Sequence, residues 1–151
     1  MKQLLIIYHS QSGASAQLAR AAWRGAQREE ELTVVVRRAW DTGIVDLASA
    51  DGLLLVAAEN SGALAGGMKD WLDRTFYPAI ERALVMPYAL LISAGNDGRG
   101  AVRQATRILS GFPLTEATEA VILRGEVNEA HLVRAGELGE AMAAGIAMGI
   151  F

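Results

Sequence analysis

A short polar segment near the start of the chain has the residue types needed to hold an anion. The apolar run of residues 4–8 is soon followed by Ser10, Gln11, Ser12, Gly13, Ala14 and Ser15, and a helical pattern begins there. At a helix start, backbone N–H groups and small hydroxyls can hold a phosphate without lysine or arginine, because the helix dipole is positive there. The segment indeed has no basic residue. The alternative is a polar loop in which Ser10 or Ser12 only caps the helix, and the segment alone leaves both interpretations open.

Other common site motifs are incomplete. The phosphate loop of nucleoside triphosphatases needs a lysine that does not follow Gly13, and the dinucleotide motif G-x-G-x-x-G is absent after the first apolar run. The nucleophile elbow G-x-S-x-G is interrupted, because Gln17 stands at its second glycine. His9 and His131 are far apart in sequence and do not suggest a metal site. Because the chain has no cysteine, any redox chemistry must be carried by a bound cofactor.

The elements that would position this segment alternate along the chain. Apolar runs predict strands at residues 4–8, 32–36, 52–58, 88–93 and 120–123. Helical spacing predicts helices after the first, third, fourth and fifth strands, and one or two helical turns within residues 41–49. We expect Pro78 to end the helix after the third strand near Tyr77, and we expect the last helix to begin at about Asn128.

Five strands connected by helices predict a three-layer α/β fold, a doubly wound parallel sheet with helices on both faces. In strand order 2-1-3-4-5, the first, third and fourth strands lie side by side at the point where the order reverses. Each of these strands ends in a loop rich in small and polar residues, at residues 10–15, 59–67 and 94–100. Because ligands bind outside the carboxyl ends of such strands, the sequence predicts a site built from these loops.

Composition limits the classes of partner. With 151 residues and 52% apolar content, the chain is expected to form a single domain, residues 1–151. A net charge of −3 without a basic cluster argues against nucleic acid or anionic lipid as a partner. The first apolar run is too short for the core of a signal peptide, and residues 141–151 are too few to span a bilayer. We therefore expect a soluble cytoplasmic protein.

Three segments resemble the flavodoxin family. The first, SQSGAS, is similar to the phosphate loop T/S-x-T/S-G-x-T/S, with matches at Ser10, Ser12, Gly13 and Ser15. Residues 57–78, AAENSGALAGGMKDWLDRTFYP, resemble a segment of flavodoxins and flavin-dependent NAD(P)H oxidoreductases that often reads P-E-N-aromatic-G, then S-G-x-x-K-D-F-F-D-R-T. Residues 93–101, SAGNDGRGA, are similar to the third loop of the same proteins. The resemblance implies a flavodoxin-like fold and bound flavin mononucleotide (FMN).

The resemblance also implies roles for individual residues. The FMN phosphate would be held by Ser10, Gln11, Ser12, Gly13, Ala14 and Ser15. The isoalloxazine ring would be bordered through backbone groups by Glu59, Asn60, Ser61 and Gly62. Its other edge would be flanked by Gly95, Asn96 and Asp97. The family pattern is also matched on the following helix, where we expect an anchoring role rather than substrate contact for Lys69, Asp70, Asp73 and Arg74.

Two positions depart from the family pattern. Ala58 replaces the usual proline, and Ser61 stands where an aromatic side chain would stack on the flavin. Serine cannot supply that stacking, so one face of the ring is expected to be open. An open face would weaken FMN binding, and it would leave room for a flat nicotinamide or quinone.

The resemblance is compatible with more than one function. It favours an FMN-dependent oxidoreductase that takes electrons from NADH or NADPH and passes them to a quinone or similar small acceptor. The second candidate is an electron carrier that serves a redox partner protein, although such carriers are typically more acidic than this chain. The third is a flavin-binding protein without catalysis, which the Ser61 departure favours. A homodimer is compatible with all three.

Overall fold

The first strand lies in the interior of the sheet. In the computed structural model, which describes residues 1–151, β1 (Lys2–Tyr8) is buried on both faces from Leu4 to Ile7. Burial on both faces is typical of a parallel strand covered by helices on each side. β1 pairs in parallel with β2 (Leu32–Arg38) on one side and with β3 (Gly52–Asn60) on the other.

The remaining strands extend the sheet beyond β3. The short β4 (Ala63–Leu64) pairs antiparallel with the end of β3, and β5 (Met86–Ala94) pairs with β3 in parallel. The free edge of β5 is shared by β6 (Leu114–Glu116) near its start and β7 (Val121–Arg124) near its end. Since β6 and β7 together occupy the fifth parallel position, the predicted order 2-1-3-4-5 is confirmed. The strands β4 and β6 were not predicted from the sequence.

Helices cover both faces of this sheet. They are α1 (Ala14–Ala26), α2 (Ile44–Ala48), α3 (Gly66–Glu81), α4 (Arg99–Leu109) and α5 (Glu129–Met148), with a short 3-10 helix at Ala39–Asp41. Leu4 and Ile6 pack with α1 and α5, whereas Leu5 and Ile7 pack with α2, α3 and α4. This alternation follows from the period-two geometry of a strand. None of the helices combines the length and apolar character that a bilayer crossing needs.

The prediction that Pro78 ends its helix is wrong. α3 continues for one further turn to Glu81, and the N–H of Arg82 donates to the Pro78 carbonyl at 3.0 Å. Proline removes one backbone hydrogen bond, but its fixed φ is compatible with a helix. Ala79, directly after it, is fully buried, so packing of the last turn offsets the lost bond. α4 ends at Leu109, and the buried Phe112 lies in the following turn.

The contact between α1 and α5 fixes the helix that follows the polar segment. A Cβ atom at Gly25 would overlap the carbonyl of Gly136, and one at Gly139 would overlap the carbonyl of Ala22. A side chain at Gly25 or Gly139 would therefore hold the two helix backbones farther apart than they are. The second half of α1 is consequently packed backbone to backbone against α5.

Candidate functional site

The carboxyl ends of the parallel strands enclose a cleft of about 750 Å³. Its walls come from the last residues of β3 and β5 and from the segments that follow β1, β5 and β7, as expected for the edge where the strand order reverses. The lining residues are Ser12, Ala14, Gln17, Ala58, Glu59, Asn60, Ser93, Ala94, Gly95, Gly125, Glu126 and Val127. The three loops predicted from the sequence thus meet in one cleft, and a fourth segment joins them.

The segment between β1 and α1 presents unpaired donors. Gly13 has φ of 100°, a left-handed conformation that favours glycine, and its N–H donates to Ser10 Oγ at 3.1 Å. The first N–H groups of a helix have no intrahelical acceptor, and no side chain caps α1. The Ser15 hydroxyl, in a residue only 1% exposed, also has no partner. Neither Ser10 nor Ser12 therefore caps α1, and the alternative of a capping loop is wrong.

β3 and β4 form a tight hairpin beside that segment. Ser61 (φ 51°) and Gly62 (φ 76°) are the central residues of its two-residue turn, which matches type I′. Next to the turn, Asn60 Nδ2 donates to Gln11 Oε1 at 2.7 Å and links the hairpin to the polar segment between β1 and α1. Ser61 lies at the exposed tip and does not line the cleft. Its predicted position against the flavin ring stays a prediction.

Side-chain hydrogen bonds hold the loop after β5. Glu59 accepts from the N–H groups of Gly98 and Ala101, at 3.0 Å each. Arg124 Nε donates to the Asp97 carbonyl at 2.9 Å, and the Asp97 carboxylate pairs with Arg99. Of the loop residues predicted to flank the ring, Gly95 lines the cleft, whereas Asn96 and Asp97 are exposed outside it.

The family-like residues on α3 stabilise structure away from the cleft. Arg74 donates to the carbonyls of Thr42 and Ala39, at 2.9 and 3.0 Å, and also pairs with Asp70. These bonds fix the turn after β2 against α3. Lys69 pairs with Asp73 on the same helix. Arg74 thus has the anchoring role expected for it, with Asp70 as its partner, whereas Lys69 and Asp73 pair only with each other on the surface of α3.

The cleft is polar and carries no cationic side chain. Its charged lining residues are Glu59, whose carboxylate is engaged with backbone N–H groups, and the exposed Glu126. An anion bound here would therefore depend on backbone dipoles and hydroxyls, most directly those at the start of α1. None of the lining residues is aromatic.

Several lining residues were missed by sequence reasoning. The segment Gly125–Val127 follows β7, so the general rule that ligands bind at carboxyl strand ends pointed to it. Gln17 belongs to the first turn of α1 after the predicted segment, and Ser93 and Ala94 close β5. In sequence these residues look like any other residues at the end of a strand or in a turn. Only their arrangement in space shows that they line the cleft.

This fold is flavodoxin-like, an α/β sheet with a polar loop between its first strand and first helix. A flavodoxin from the domain Archaea superimposes with a TM-score of 0.84 at 17% identity, over 95% of this chain and 98% of its own. The WrbA-like flavodoxin of Agrobacterium tumefaciens gives 0.82 at 14% identity, covering 98% and 99%. Two-electron reduced Megasphaera elsdenii flavodoxin gives 0.78 at 20% identity, covering 93% and 98%. These similarities confirm the expected fold. In sequence, no protein-family model and no curated protein matches the chain.

His9, the residue directly before the polar segment, is packed between two neighbouring elements. It is 8% exposed, and its ring lies edge-on to Trp40 with centroids 5.7 Å apart. The ring fills the space where a Cβ at Gly67 would lie, at the start of α3, and Nδ1 has no hydrogen-bond partner. Burial therefore lowers the pKa of His9 below its ordinary value of 6.5.

The lowered pKa predicts how stability responds to acid. Between the folded and unfolded pKa values the unfolded chain binds more protons, so His9 makes the free energy of unfolding fall as the pH drops below 6.5. The loss amounts to about 1.4 kcal/mol for each unit by which the pKa is lowered. His9→Phe should flatten the pH dependence measured by urea unfolding from roughly pH 7 to pH 5, whereas His131→Gln, the matched control, should retain it. An unchanged slope in His9→Phe would contradict this account.

Proposed function

We propose that this chain binds FMN in the cleft and passes electrons from NADH or NADPH through it to a quinone or similar small acceptor. The observation that carries the proposal is the start of α1, where free N–H groups and the buried Ser15 hydroxyl face no acceptor within the protein. A phosphate supplies acceptor oxygens and negative charge at the positive end of the helix. Bound FMN would supply the redox chemistry, which no cysteine or metal-type cluster here offers.

The residues present fit such a group. The phosphate would be held by the N–H groups of Ala14, Ser15 and Ala16 together with the Ser15 hydroxyl. The cleft of about 750 Å³ lies within the size range of small-molecule sites. Its walls at the ends of β3 and β5, Ala58–Asn60 and Ser93–Gly95, would border the ring. The overall similarity to flavodoxins supports the same choice.

The composition of the cleft predicts modest affinity. No lining side chain is aromatic, so the protein cannot add the ~0.5–1.5 kcal/mol that an aromatic stack contributes beyond buried area. No lysine or arginine adds a charge-assisted bond to the phosphate. A ring with an exposed face would in turn be accessible to a flat nicotinamide or quinone, and this favours an enzyme with a small-molecule acceptor.

An electron carrier is the second candidate. It is favoured because this chain superimposes on nearly the whole length of the flavodoxins, for example on 98% of the archaeal protein. A carrier needs no substrate site of its own and would deliver electrons to a redox partner protein at the exposed edge of the cleft.

The phosphate position can be tested by adding a negative charge. Ser12 lines the cleft at the start of α1. In Ser12→Asp, repulsion between the carboxylate and the phosphate should weaken FMN binding by at least ~1–3 kcal/mol in a folded protein. Thr118→Asp adds the same charge at an exposed site between β6 and β7 and should bind as the wild type does. Titration followed by flavin absorbance and fluorescence measures both, and equal affinity in the two variants would show that the phosphate is bound elsewhere.

The choice between enzyme and carrier requires a kinetic experiment. After FMN loading and desalting, stopped-flow mixing with NADH or NADPH should bleach the flavin absorbance, and an added quinone should restore it over repeated turnovers. Reduction by light with a chemical donor, together with no reaction with either nucleotide, would instead favour the carrier. A protein that binds no flavin in the titration would contradict both candidates.

A further inference from the structure

The carboxylate of Glu59 caps a helix that belongs to another part of the chain. Its two oxygens accept from the N–H groups of Gly98 and Ala101, which are the N-cap and third residues of α4. α4 has no acidic residue in its own first turn, and its glycine N-cap offers no side chain. Glu59 therefore supplies, from the end of β3, the acceptor and negative charge that a helix start favours.

The same hairpin contacts α4 at two further points. The N–H of Leu64 donates to Gln104 Oε1 at 2.7 Å. A Cβ at Gly100 would overlap the carbonyl oxygen of Gly62, so the hairpin turn and α4 are in backbone contact. The hairpin and the first turns of α4 are consequently packed together as one unit.

Of the three contacts between the hairpin and α4, only that of Glu59 is made by a residue that lines the cleft. One wall is formed by Ala58–Asn60 at the end of β3, and the other by Ser93–Gly95 at the end of β5. The second wall continues into the loop whose far end Glu59 holds at Gly98, while Arg124 holds the Asp97 carbonyl. Both walls are thus tied to one carboxylate.

We propose that Glu59 is a positioning residue whose side chain sets the distance between the walls that would border the flavin ring. The inference rests on the proposed function, and it goes beyond the backbone role that family resemblance implies for this residue. Without the carboxylate, the start of α4 loses two acceptors, and the loop at residues 95–98 is free to move relative to the hairpin.

A pair of variants separates positioning from general stabilisation. Glu59→Gln keeps the side-chain length but removes the charge and sets an amide N–H₂ against a backbone donor. Gln104→Met removes the acceptor of the Leu64 N–H at a point that does not line the cleft. Both variants should lower the Tm, but only Glu59→Gln should weaken FMN binding, by about tenfold, because restoring the spacing of the walls would cost roughly the free energy of one hydrogen bond. Glu59→Asp, which keeps the charge on a shorter side chain, should bind with intermediate affinity.

Amide hydrogen exchange provides a measurement that needs no flavin. In the protein without FMN, the Gly98 and Ala101 amides should exchange slowly in the wild type and in Gln104→Met, and faster in Glu59→Gln. The inference is overturned if Glu59→Gln binds FMN as the wild type does, or if Gln104→Met weakens binding equally. If wild-type protein binds no FMN, the proposed function is wrong and the inference falls with it. If the wild type binds FMN and Glu59→Gln binds it equally well, this inference is wrong and the proposed function stands.

Discussion

The donors at the start of α1 are the feature on which the account of this protein depends. A helix start leaves N–H groups without intrahelical acceptors, and here no side chain compensates for them. The Ser15 hydroxyl beside them is buried and also unpaired. Leaving a buried polar group unsatisfied costs about 1–3 kcal/mol, so a bound anion would both fill the site and stabilise the fold. Toward its other end, α1 is packed backbone to backbone against α5 at Ala22 and Gly25.

The rest of the cleft is organised by hydrogen bonds between loops. Asn60 joins the β3–β4 hairpin to Gln11, and Glu59 joins the same hairpin to the start of α4. Arg124 adds a bond from the end of β7 to the loop after β5. Segments that are separate in sequence therefore form connected walls, which is the preorganisation that a binding site requires.

The fold was largely predictable because its determinants are local. Alternating apolar runs and helical periodicity indicated the sheet and its order, and the loops rich in small and polar residues indicated the edge that carries the cleft. Short elements escaped prediction, since β4 and β6 have only a few residues and depend on their pairing partners. Pro78 was misjudged because packing beyond it outweighs the cost of one lost hydrogen bond.

The site was predictable only in part. The segment from Ser10 to Ser15 and the residues around Glu59 carry recognisable patterns, and both contribute residues to the cleft. The role of the Glu59 carboxylate depends on its distance from Gly98, nearly forty positions later, which no sequence pattern encodes. Glu126 and Val127 follow an ordinary-looking turn, and their place in the wall arises from the pairing of β7 with β5.

The central claim is that backbone donors at the start of α1 bind the phosphate of FMN. The most direct measurement compares FMN with riboflavin, which lacks the phosphate, by NMR titration of ¹⁵N-labelled protein. The account predicts saturable shifts at the amides of Ala14, Ser15 and Ala16 with FMN, and at least ~10-fold weaker binding of riboflavin without those shifts. Equal affinity for the two compounds, or FMN-induced shifts that leave these amides unchanged, would contradict it.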